Sequence, residues 1–397
     1  MAEKKWNWQQ PDWPAFSYDF EALEDLEREF VYQAGVYLGI SKSLRKDDLD
    51  GLRIELLSNE AAETSAIEGE ILRLESIQLS LKREFGLVDR YTRFLGVDPG
   101  NSETGIARLM IQLHEDFQTL LTKEELFRWH EFLMAGNPHL DTIGAYRTHA
   151  DDMIIATLRN SGPDRVHFVA PSSTDVPGEM EQFINWFNKT SPAGDTPLPP
   201  LTRAGIAHLY FISIHPFEDG NGRIGRALAE KAIYQNLGVS LPLSLSTIIN
   251  QKRNLYYDQI ANHNRTNEIT GWLRYFAETA IAAKLLSLQR TELVVNKYKF
   301  FRAYRDLLNH RQKKLIAKLC DNISKKRFQQ GITEYTGSFK APYYMGLTKI
   351  SSSTATRDLN DLVDKGVLIR SGERKGSQYR FPLDHLIADL NRHGRPR

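Results

Sequence analysis

Residues 215–226 constrain this chain more than any other segment, because they read His-Pro-Phe-Glu-Asp-Gly-Asn-Gly-Arg-Ile-Gly-Arg. A strongly apolar run, 206–215, precedes them, and its length and spacing predict a buried helix. The residues from Ala227 onward carry a second helix away from this segment. Glycine at 220 and 222 lets the backbone turn sharply between the two helices. We therefore predict two helices joined by a short loop that is crowded with polar groups.

This loop gathers the groups that a polyphosphate site needs. A turn that opens into a helix points several backbone N–H groups at one place and favours an anion there. Arg223 and Arg226 are three residues apart and lie on one face of the second helix, beside the same place. A planar guanidinium binds two phosphate oxygens at once. The residues predict a polyphosphate site with His215 beside it as a proton acceptor.

The segment resembles the signature of the Fic (filamentation induced by cyclic AMP) family, His-Pro-Phe-x-(Asp/Glu)-Gly-Asn-Gly-Arg-x-x-Arg, at every fixed position. The resemblance implies a protein adenylyltransferase that moves AMP from ATP to Ser, Thr or Tyr hydroxyls of target proteins, itself included. His215 would take the hydroxyl proton, and its ordinary pKa near physiological pH suits a general base. Asp219 would hold Mg²⁺ between phosphates. The loop residues that bind ATP would be Gly220, Asn221, Gly222, Arg223 and Arg226.

A stretch further along, 250–264, resembles the region in which the family builds its nucleotide-base pocket. Tyr257 and Asn264 are similar in position to the adenine-facing Tyr and Asn of the family. Aromatic faces and amides suit a purine, although a tyrosine at helical spacing is ordinarily a core residue.

Two short β-rich runs, 153–158 and 166–169, flank a turn at 159–164 that contains Asn, Gly and Pro. This pattern predicts a β-hairpin. Its position resembles the flap of the family, which covers the active site and pairs with the backbone of a hydroxyl-bearing target protein. An unrelated surface hairpin is the alternative. The flap residues would be Met153, Ile154 and Ile155.

An upstream segment, Thr64-Ser-Ala-Ile-Glu-Gly69, resembles the inhibitory motif of the same family, (Ser/Thr)-x-x-x-Glu-(Gly/Asn). A helical pattern precedes it and Gly69 is a stop signal, which places Glu68 in the last turn. The helix dipole disfavours an anion there, so a cation from elsewhere would stabilise it. The resemblance implies that this cation is Arg226, which would then be unable to hold the outer phosphate of ATP. A solvated glutamate at a helix end is the alternative, and in some relatives this glutamate supports removal of AMP.

Membrane and export signals are not expected in this chain. No segment approaches the length and apolar character of a membrane span, and the first residues lack an apolar signal core. The single cysteine, Cys320, excludes an internal disulfide and fits a reducing compartment. Its apolar helical surroundings indicate a small buried residue. We therefore expect a cytoplasmic protein.

The charge is divided unevenly along the chain. From Thr291 to the end, 22 Lys and Arg stand against 10 Asp and Glu, and the totals of 51 and 50 leave 29 and 40 for residues 1–290. A basic tail on an acidic body suggests nucleic acid or another polyanion as a partner of the tail.

The tail also has the element order of a winged helix–turn–helix, which it resembles. Helical patterns start at Arg311 and cover 350–365, and a hairpin pattern lies between 367 and 381. The 350–365 helix would read DNA, but winged helices also serve as protein-docking and homodimer modules. The residues that would face DNA are Ser352, Thr354 and Arg357, with Arg374 and Lys375 in the wing.

These patterns predict a mainly helical protein in three parts. Residues 1–95 would form an arm rich in tryptophan and a helical region with the inhibitory helix, and 96–290 an all-helical Fic core with the hairpin flap. Residues 291–397 would form the winged helix–turn–helix. The resemblance spans nearly the whole chain and extends to a common bacterial Fic subfamily. Two alternatives stay open: a DNA-binding regulator whose Fic site senses ATP, and a Fic enzyme that removes AMP or transfers another phosphate-containing group.

Overall fold

The computed structural model describes residues 5–42, 44–87, 99–157, 165–329, 337–373 and 376–393. Helices dominate, as predicted, and the described strands form two antiparallel hairpins. The chain divides into two compact units, one of residues 1–43 and 53–287 and one of residues 44–52 and 288–397. The three-part division made from the sequence, at 95/96 and 290/291, stays a prediction.

The first unit contains most of the helices. In chain order they are α1 (Glu21–Lys42), α2 (Lys46–Ile67), α3 (Leu74–Glu84), α4 (Asn101–Glu115), α5 (Lys123–Met134), α6 (Val176–Lys189), α7 (Pro200–Ile214), α8 (Asn221–Leu237), α9 (Leu245–Gln251), α10 (Arg253–His263) and α11 (Thr270–Tyr304). The first residues of α2 and the last residues of α11 belong to the second unit. Within the described ranges, no helix has the length and apolar character needed to cross a bilayer.

The core of the first unit is centred on α7 and α8, which pack against each other. α7 also contacts α1 and α6, and α8 contacts α4 and α5. Phe211 and Ile214 near the end of α7 and Ile224 near the start of α8 are fully buried. Burial of each such side chain contributes about 1.5–3 kcal/mol. The loop at 215–220 is therefore fixed at both ends by well-packed helix, which suits a site that must keep its geometry.

The start of α7 is held by a carboxylate from α1. Glu27 accepts hydrogen bonds from the Leu201 N–H at 3.0 Å, the Thr202 N–H at 2.7 Å and the Thr202 hydroxyl at 2.8 Å. The first N–H groups of a helix have no partner within it, and the helix dipole favours an anion there. Burial raises the pKa of Glu27, and the three hydrogen bonds oppose that shift.

The predicted flap is a two-stranded antiparallel hairpin of β1 (Ile154–Thr157) and β2 (Arg165–Val169). The turn predicted at 159–164 lies outside the described residues. The N-terminal arm braces this hairpin. The Trp6 ring packs edge-on against Phe168 with centroids 5.2 Å apart, and Trp8 Nε1 donates to the Val169 carbonyl at 2.8 Å. The arm therefore packs its aromatic side chains onto the body of the unit.

The second unit has the predicted order of helices followed by a hairpin. Its elements are α12 (His310–Gln329), α13 (Ala341–Thr348), α14 (Ser352–Asp364), β3 (Ile369–Ser371), β4 (Gln378–Arg380) and α15 (Leu383–His393). Buried Asp358 on α14 joins three helices, since it accepts from Arg311 Nε at 2.8 Å and from the Tyr344 hydroxyl at 2.9 Å. Cys320 is buried in α12, as expected of a small core residue. Arg374 and Lys375 lie outside the described residues.

Candidate active site

The loop between α7 and α8 places His215 in a strained backbone conformation. His215 follows the last residue of α7 with φ 53° and ψ 58°, a left-handed region that residues other than glycine rarely occupy. Arg147 holds it there: Arg147 Nε donates to the His215 carbonyl at 2.8 Å, and the Arg147 N–H donates to the Pro216 carbonyl at 2.9 Å. Arg147 is 1% exposed. It is a positioning residue that the sequence analysis did not identify.

Arg147 also connects this loop to the base of the flap. Its Nη2 donates to the carbonyl of Pro171 at 2.5 Å, and Pro171 lies two residues beyond the end of β2. Burial lowers the pKa of Arg147 to about 10, so the guanidinium stays charged at neutral pH. One buried cation therefore fixes both the backbone of His215 and the end of the hairpin.

Asn221 closes the loop through its side chain. Asn221 Oδ1 accepts from the Phe217 N–H at 3.0 Å, and Asn221 Nδ2 donates to the Phe217 carbonyl at 2.7 Å. The Phe217 ring is fully buried and stacks on His130 with centroids 4.3 Å apart. The amide side chain of Asn221 therefore shapes the loop. Its backbone N–H, in the first turn of α8, is the group left to meet a phosphate.

The two predicted glycines of the loop have different roles. Gly220 has φ 82°, a left-handed conformation that lets the chain turn into α8. Gly222 gives space: a Cβ atom at this position would lie 2.1 Å from Glu68 Oε1. The Glu68 carboxylate can therefore lie against the first turn of α8 because residue 222 has no side chain.

Glu68 binds Arg226, as predicted. Arg226 Nη2 lies 2.7 Å from Glu68 Oε1, and Arg226 is 3% exposed. Thr64, the first fixed position of the same motif, adds two contacts, because its hydroxyl accepts from Arg226 Nε at 2.7 Å and its carbonyl accepts from Nη2 at 2.9 Å. Burial alone would raise the pKa of Glu68, but Arg226 holds it below the usual value. The carboxylate is therefore ionised at neutral pH.

The end of α2 fixes the position of this carboxylate. The Gly69 N–H donates to the Ala66 carbonyl and the Glu70 N–H donates to the Ser65 carbonyl, both at 3.0 Å, with Gly69 at φ 88°. These two bonds form the Schellman arrangement that ends many helices. Glu68 thus lies immediately after Ile67, the last residue of α2. The predicted stop at Gly69 is confirmed.

Arg223, the first arginine of the loop signature, is also occupied. Its Nη1 donates to Glu70 Oε2 at 2.8 Å, and its Nη2 lies 3.6 Å from Asp219 Oδ2. Arg223 is 7% exposed. Glu70 lies outside the inhibitory motif and was not among the predicted site residues. The only signal was its spacing, two residues from Glu68, opposite two arginines three residues apart.

The two carboxylates of the loop itself have separate surroundings. Glu218 is anchored, since it accepts from the Thr142 hydroxyl at 2.6 Å and from the Asp141 N–H at 2.9 Å. Asp219 is exposed: Oδ1 accepts from the Gly220 N–H at 2.5 Å, while Oδ2 has, among the described residues, only the longer contact to Arg223. Asp219, and not Glu218, therefore has a carboxylate oxygen available to bind a metal ion that a ligand carries.

Tyr257 and Asn264 lie in different surroundings. Tyr257 is 40% exposed, and its hydroxyl donates to the Ile67 carbonyl at 3.4 Å, which places it at the end of α2 next to Glu68. Asn264 is buried, and its Nδ2 donates to the His167 carbonyl of β2 at 3.0 Å. Asn264 Oδ1 is buried and has no hydrogen-bond partner within the described ranges. An acceptor of this kind is suited to a donor on a ligand.

Of the three predicted flap residues, two are partly buried and one is exposed. Met153 and Ile155 are partly buried and pack with the group formed by Trp6 and Phe168. Ile154, between them, is 50% exposed. Alternation of this kind is expected in an extended segment with one covered face, and it leaves Ile154 facing outward from β1.

Burial changes the chemistry of His215. The half-buried imidazole has its pKa lowered to about 4, chiefly through loss of solvation, which differs from the value near physiological pH expected from the sequence. Its Nδ1 lies 3.3 Å from the Ile212 carbonyl, so Nδ1 carries the proton and Nε2 is the acceptor. His215 is therefore neutral at physiological pH and able to accept a proton.

The buried position of His215 should be visible in its titration. We expect its imidazole to stay neutral down to about pH 5, whereas an ordinary histidine is half protonated at about pH 6.5. Histidine NMR signals followed against pH, with His215 assigned by its loss in His215→Asn, measure this directly. A midpoint for His215 near 6.5 would contradict the burial of the site.

Two parts of the chain match profiles of known protein families. The Fic/DOC family profile matches residues 120–233, and the profile of a domain of unknown function (DUF4172) matches residues 6–87. The chain is 31% identical over 110 residues to "Protein adenylyltransferase Fic" of Drosophila yakuba, which is 28% of this chain and 20% of that protein. It is 31% identical over 121 residues to "Protein adenylyltransferase Fic" of Nematostella vectensis, 30% of this chain and 26% of that one.

The matched region therefore spans only about a fifth to a quarter of the length of these relatives. A solved structure of a Fic family protein from Desulfovibrio desulfuricans G20 has a TM-score of 0.50 and 20% identity, over 91% of this chain and 95% of that chain. This similarity concerns the fold. The segment 215–226 lies inside the matched family region, and the chain thus carries a Fic/DOC family domain at residues 120–233.

Proposed function

We propose that this protein is an adenylyltransferase that moves AMP from ATP to a Ser, Thr or Tyr hydroxyl of a protein. The observation that carries the proposal is a neutral histidine beside the N-terminus of α8, from which two buried arginines project. In the reaction, the hydroxyl oxygen would bond to the α-phosphorus and the bond from that phosphorus to the bridging oxygen would break. Pyrophosphate would leave, and the hydroxyl proton would pass to His215 Nε2.

The N–H groups of the first turn of α8, from Asn221 to Arg223, have no partner within the helix and support binding of the phosphate under attack. Arg223 and Arg226 would hold the outer phosphates once their present partners release them. Catalysis of phosphoryl-type transfer depends mainly on such positioning and charge stabilisation.

Mg²⁺ would be held by Asp219. Mg²⁺ usually keeps several waters and binds through one or two carboxylates together with substrate phosphates. A single exposed carboxylate next to the phosphate-binding turn fits that pattern. The ion would neutralise charge on the phosphates, and Asp219 would fix its position.

Adenine would bind between the exposed ring of Tyr257 and the unpartnered Oδ1 of Asn264. The target segment would pair with the flap next to Ile154. Backbone hydrogen bonds between the flap and the target segment would hold it, so targets of different sequence could bind.

The contact between Glu68 and Arg226 would restrain the enzyme. Arg226 Nε contacts Thr64, and Arg226 Nη2 contacts both Thr64 and Glu68. These atoms therefore cannot hold a phosphate. Release of this restraint requires that the end of α2 move away or that the Glu68 carboxylate be removed.

Intact-mass measurement tests the nature of the transferred group. The Glu68→Gly protein is incubated with ATP and Mg²⁺, and the proposal expects a mass gain of one AMP. A gain of one phosphate would favour a different transferase. Loss of AMP from a premodified protein in the presence of wild type would favour removal as the main activity.

DNA contact by the second unit is a second candidate function, favoured by the exposed face of α14. Ser352 and Arg357 are exposed there, and the Ser351 hydroxyl caps the helix by accepting from the Thr354 N–H at 3.4 Å. A homodimer role of this unit stays a prediction.

We expect duplex DNA of mixed sequence to bind the full chain and to be released by added salt, because phosphate contacts displace counterions. Fluorescence anisotropy measures this. Arg357→Ala should weaken binding and reduce the salt dependence, while Lys318→Ala on α12 serves as the charge-matched control. Equal loss in both variants would point to general attraction rather than to α14.

A further inference from the structure

The segment that follows α2 presents two carboxylates to α8, whose first turn is the proposed phosphate site. Glu68 contacts Arg226 at 2.7 Å, and Glu70 contacts Arg223 at 2.8 Å. The inhibitory motif accounts for the first contact alone. The second is made by a residue beyond the motif, to the other arginine of the loop signature.

The Glu70 contact joins groups with different exposure. The Arg223 side chain is 7% exposed and that of Glu70 is 35% exposed. Arg223 Nε is buried and has no hydrogen-bond partner within the described ranges, and Asp219 is 3.6 Å from Nη2. Glu70 is therefore the closest anion to a guanidinium that the fold keeps out of water.

The backbone that carries Glu70 is itself fixed. Its N–H donates to the Ser65 carbonyl at 3.0 Å in the bonding pattern that ends α2. Glu68 and Glu70 are thus set by one structural feature and reach two different arginines. A cleft of about 450 Å³ opens beside them and is lined by Glu68, Glu70, Asp219, Arg223 and the first turn of α4.

We propose that Glu70 is a second inhibitory carboxylate, which holds Arg223 away from the outer phosphates of ATP while Glu68 holds Arg226. This inference rests on the proposed function, because it assigns Arg223 to those phosphates. A bound triphosphate must replace Glu70 on Arg223. Removal of Glu68 alone therefore leaves one of the two arginines occupied.

Nucleotide binding to variants that cannot catalyse transfer tests the contact between Glu70 and Arg223, here called the clamp, separately from the reaction. Calorimetry with Mg²⁺ compares ATP with AMP in four proteins that all carry His215→Ala: no further change, Glu70→Gln, Glu68→Gly, and both. Glu70→Gln keeps the shape of the side chain and removes its charge. We expect about fivefold tighter binding of ATP and a change of less than about twofold for AMP, which has no outer phosphates.

The effect should persist in the Glu68→Gly background, because the two carboxylates hold different arginines. Glu75→Gln, an exposed carboxylate in the first turn of α3, is the matched control for loss of one negative charge. Tighter ATP binding in this control, or an equal gain for ATP and AMP, would overturn the clamp. Unchanged ATP affinity in Glu70→Gln would also overturn it. If none of the proteins binds ATP, the proposed function fails and the clamp fails with it.

Discussion

Replacing His215 with alanine in the Glu68→Gly protein is expected to lower AMP transfer about 10²- to 10⁴-fold, the usual contribution of a general base. The reason is that His215 Nε2 is the free acceptor at the end of α7, since Nδ1 contacts the Ile212 carbonyl. Alanine removes the acceptor and leaves the phosphate-binding turn of α8 in place. The rate of pyrophosphate release, measured with saturating ATP, reports the change.

Two controls distinguish loss of the general base from damage to the fold. His139 is exposed, and His139→Ala should leave transfer unchanged. ATP affinity should change little in His215→Ala, because neither arginine is altered. A His215→Ala protein that retains most of its transfer rate would remove His215 from its assigned role.

Replacing Glu68 with glycine is expected to raise transfer roughly 10- to 100-fold, the range of many regulatory couplings. The carboxylate is 2.7 Å from Arg226 Nη2 and lies against Gly222, where even a Cβ atom would not fit beside it. Its removal frees the guanidinium and opens the start of α8. Thr64 would still contact Arg226 through neutral oxygens, which are weaker competitors of a phosphate than a carboxylate.

Glycine also adds backbone freedom at the end of α2, so Glu68→Ala is needed beside it. Alanine removes the carboxylate and keeps the helix end ordered. Equal activation in both variants assigns the effect to the ion pair. Activation in glycine alone would instead assign it to loosening of α2, and activation in neither would show that the Glu68 contact does not restrain the enzyme.

The sequence was most informative where chemistry and spacing coincide in one segment. The 215–226 string specified two helices and the loop between them, and the structure has α7, α8 and that loop. The partner of Glu68 followed from the family resemblance, since nothing in the local pattern names a residue 158 positions away. The hairpin of β1 and β2 followed from two β-rich runs around a turn, and packing of Trp6 and Trp8 against β2 shows what covers it.

Features that depend on long-range packing could not be predicted. Arg147 contacts the backbone of His215 across 68 positions of sequence, and its guanidinium recognises carbonyls that carry no side-chain signature. The low pKa of His215 follows from the surrounding elements, which a linear motif does not describe. Glu70 contacts Arg223 only because the end of α2 turns back on itself after Ile67.

The central claim is that this site transfers AMP and that His215 accepts the proton. A transfer assay with α-labelled ATP and Mg²⁺ tests it, using wild type, Glu68→Gly and Glu68→Gly/His215→Ala, with γ-labelled ATP in parallel. We predict strong protein-bound label from α-labelled ATP in Glu68→Gly, weak label in wild type, none in the double variant, and none from γ-labelled ATP. Absence of α-label in Glu68→Gly would contradict AMP transfer, and equal label in the double variant would contradict the role of His215.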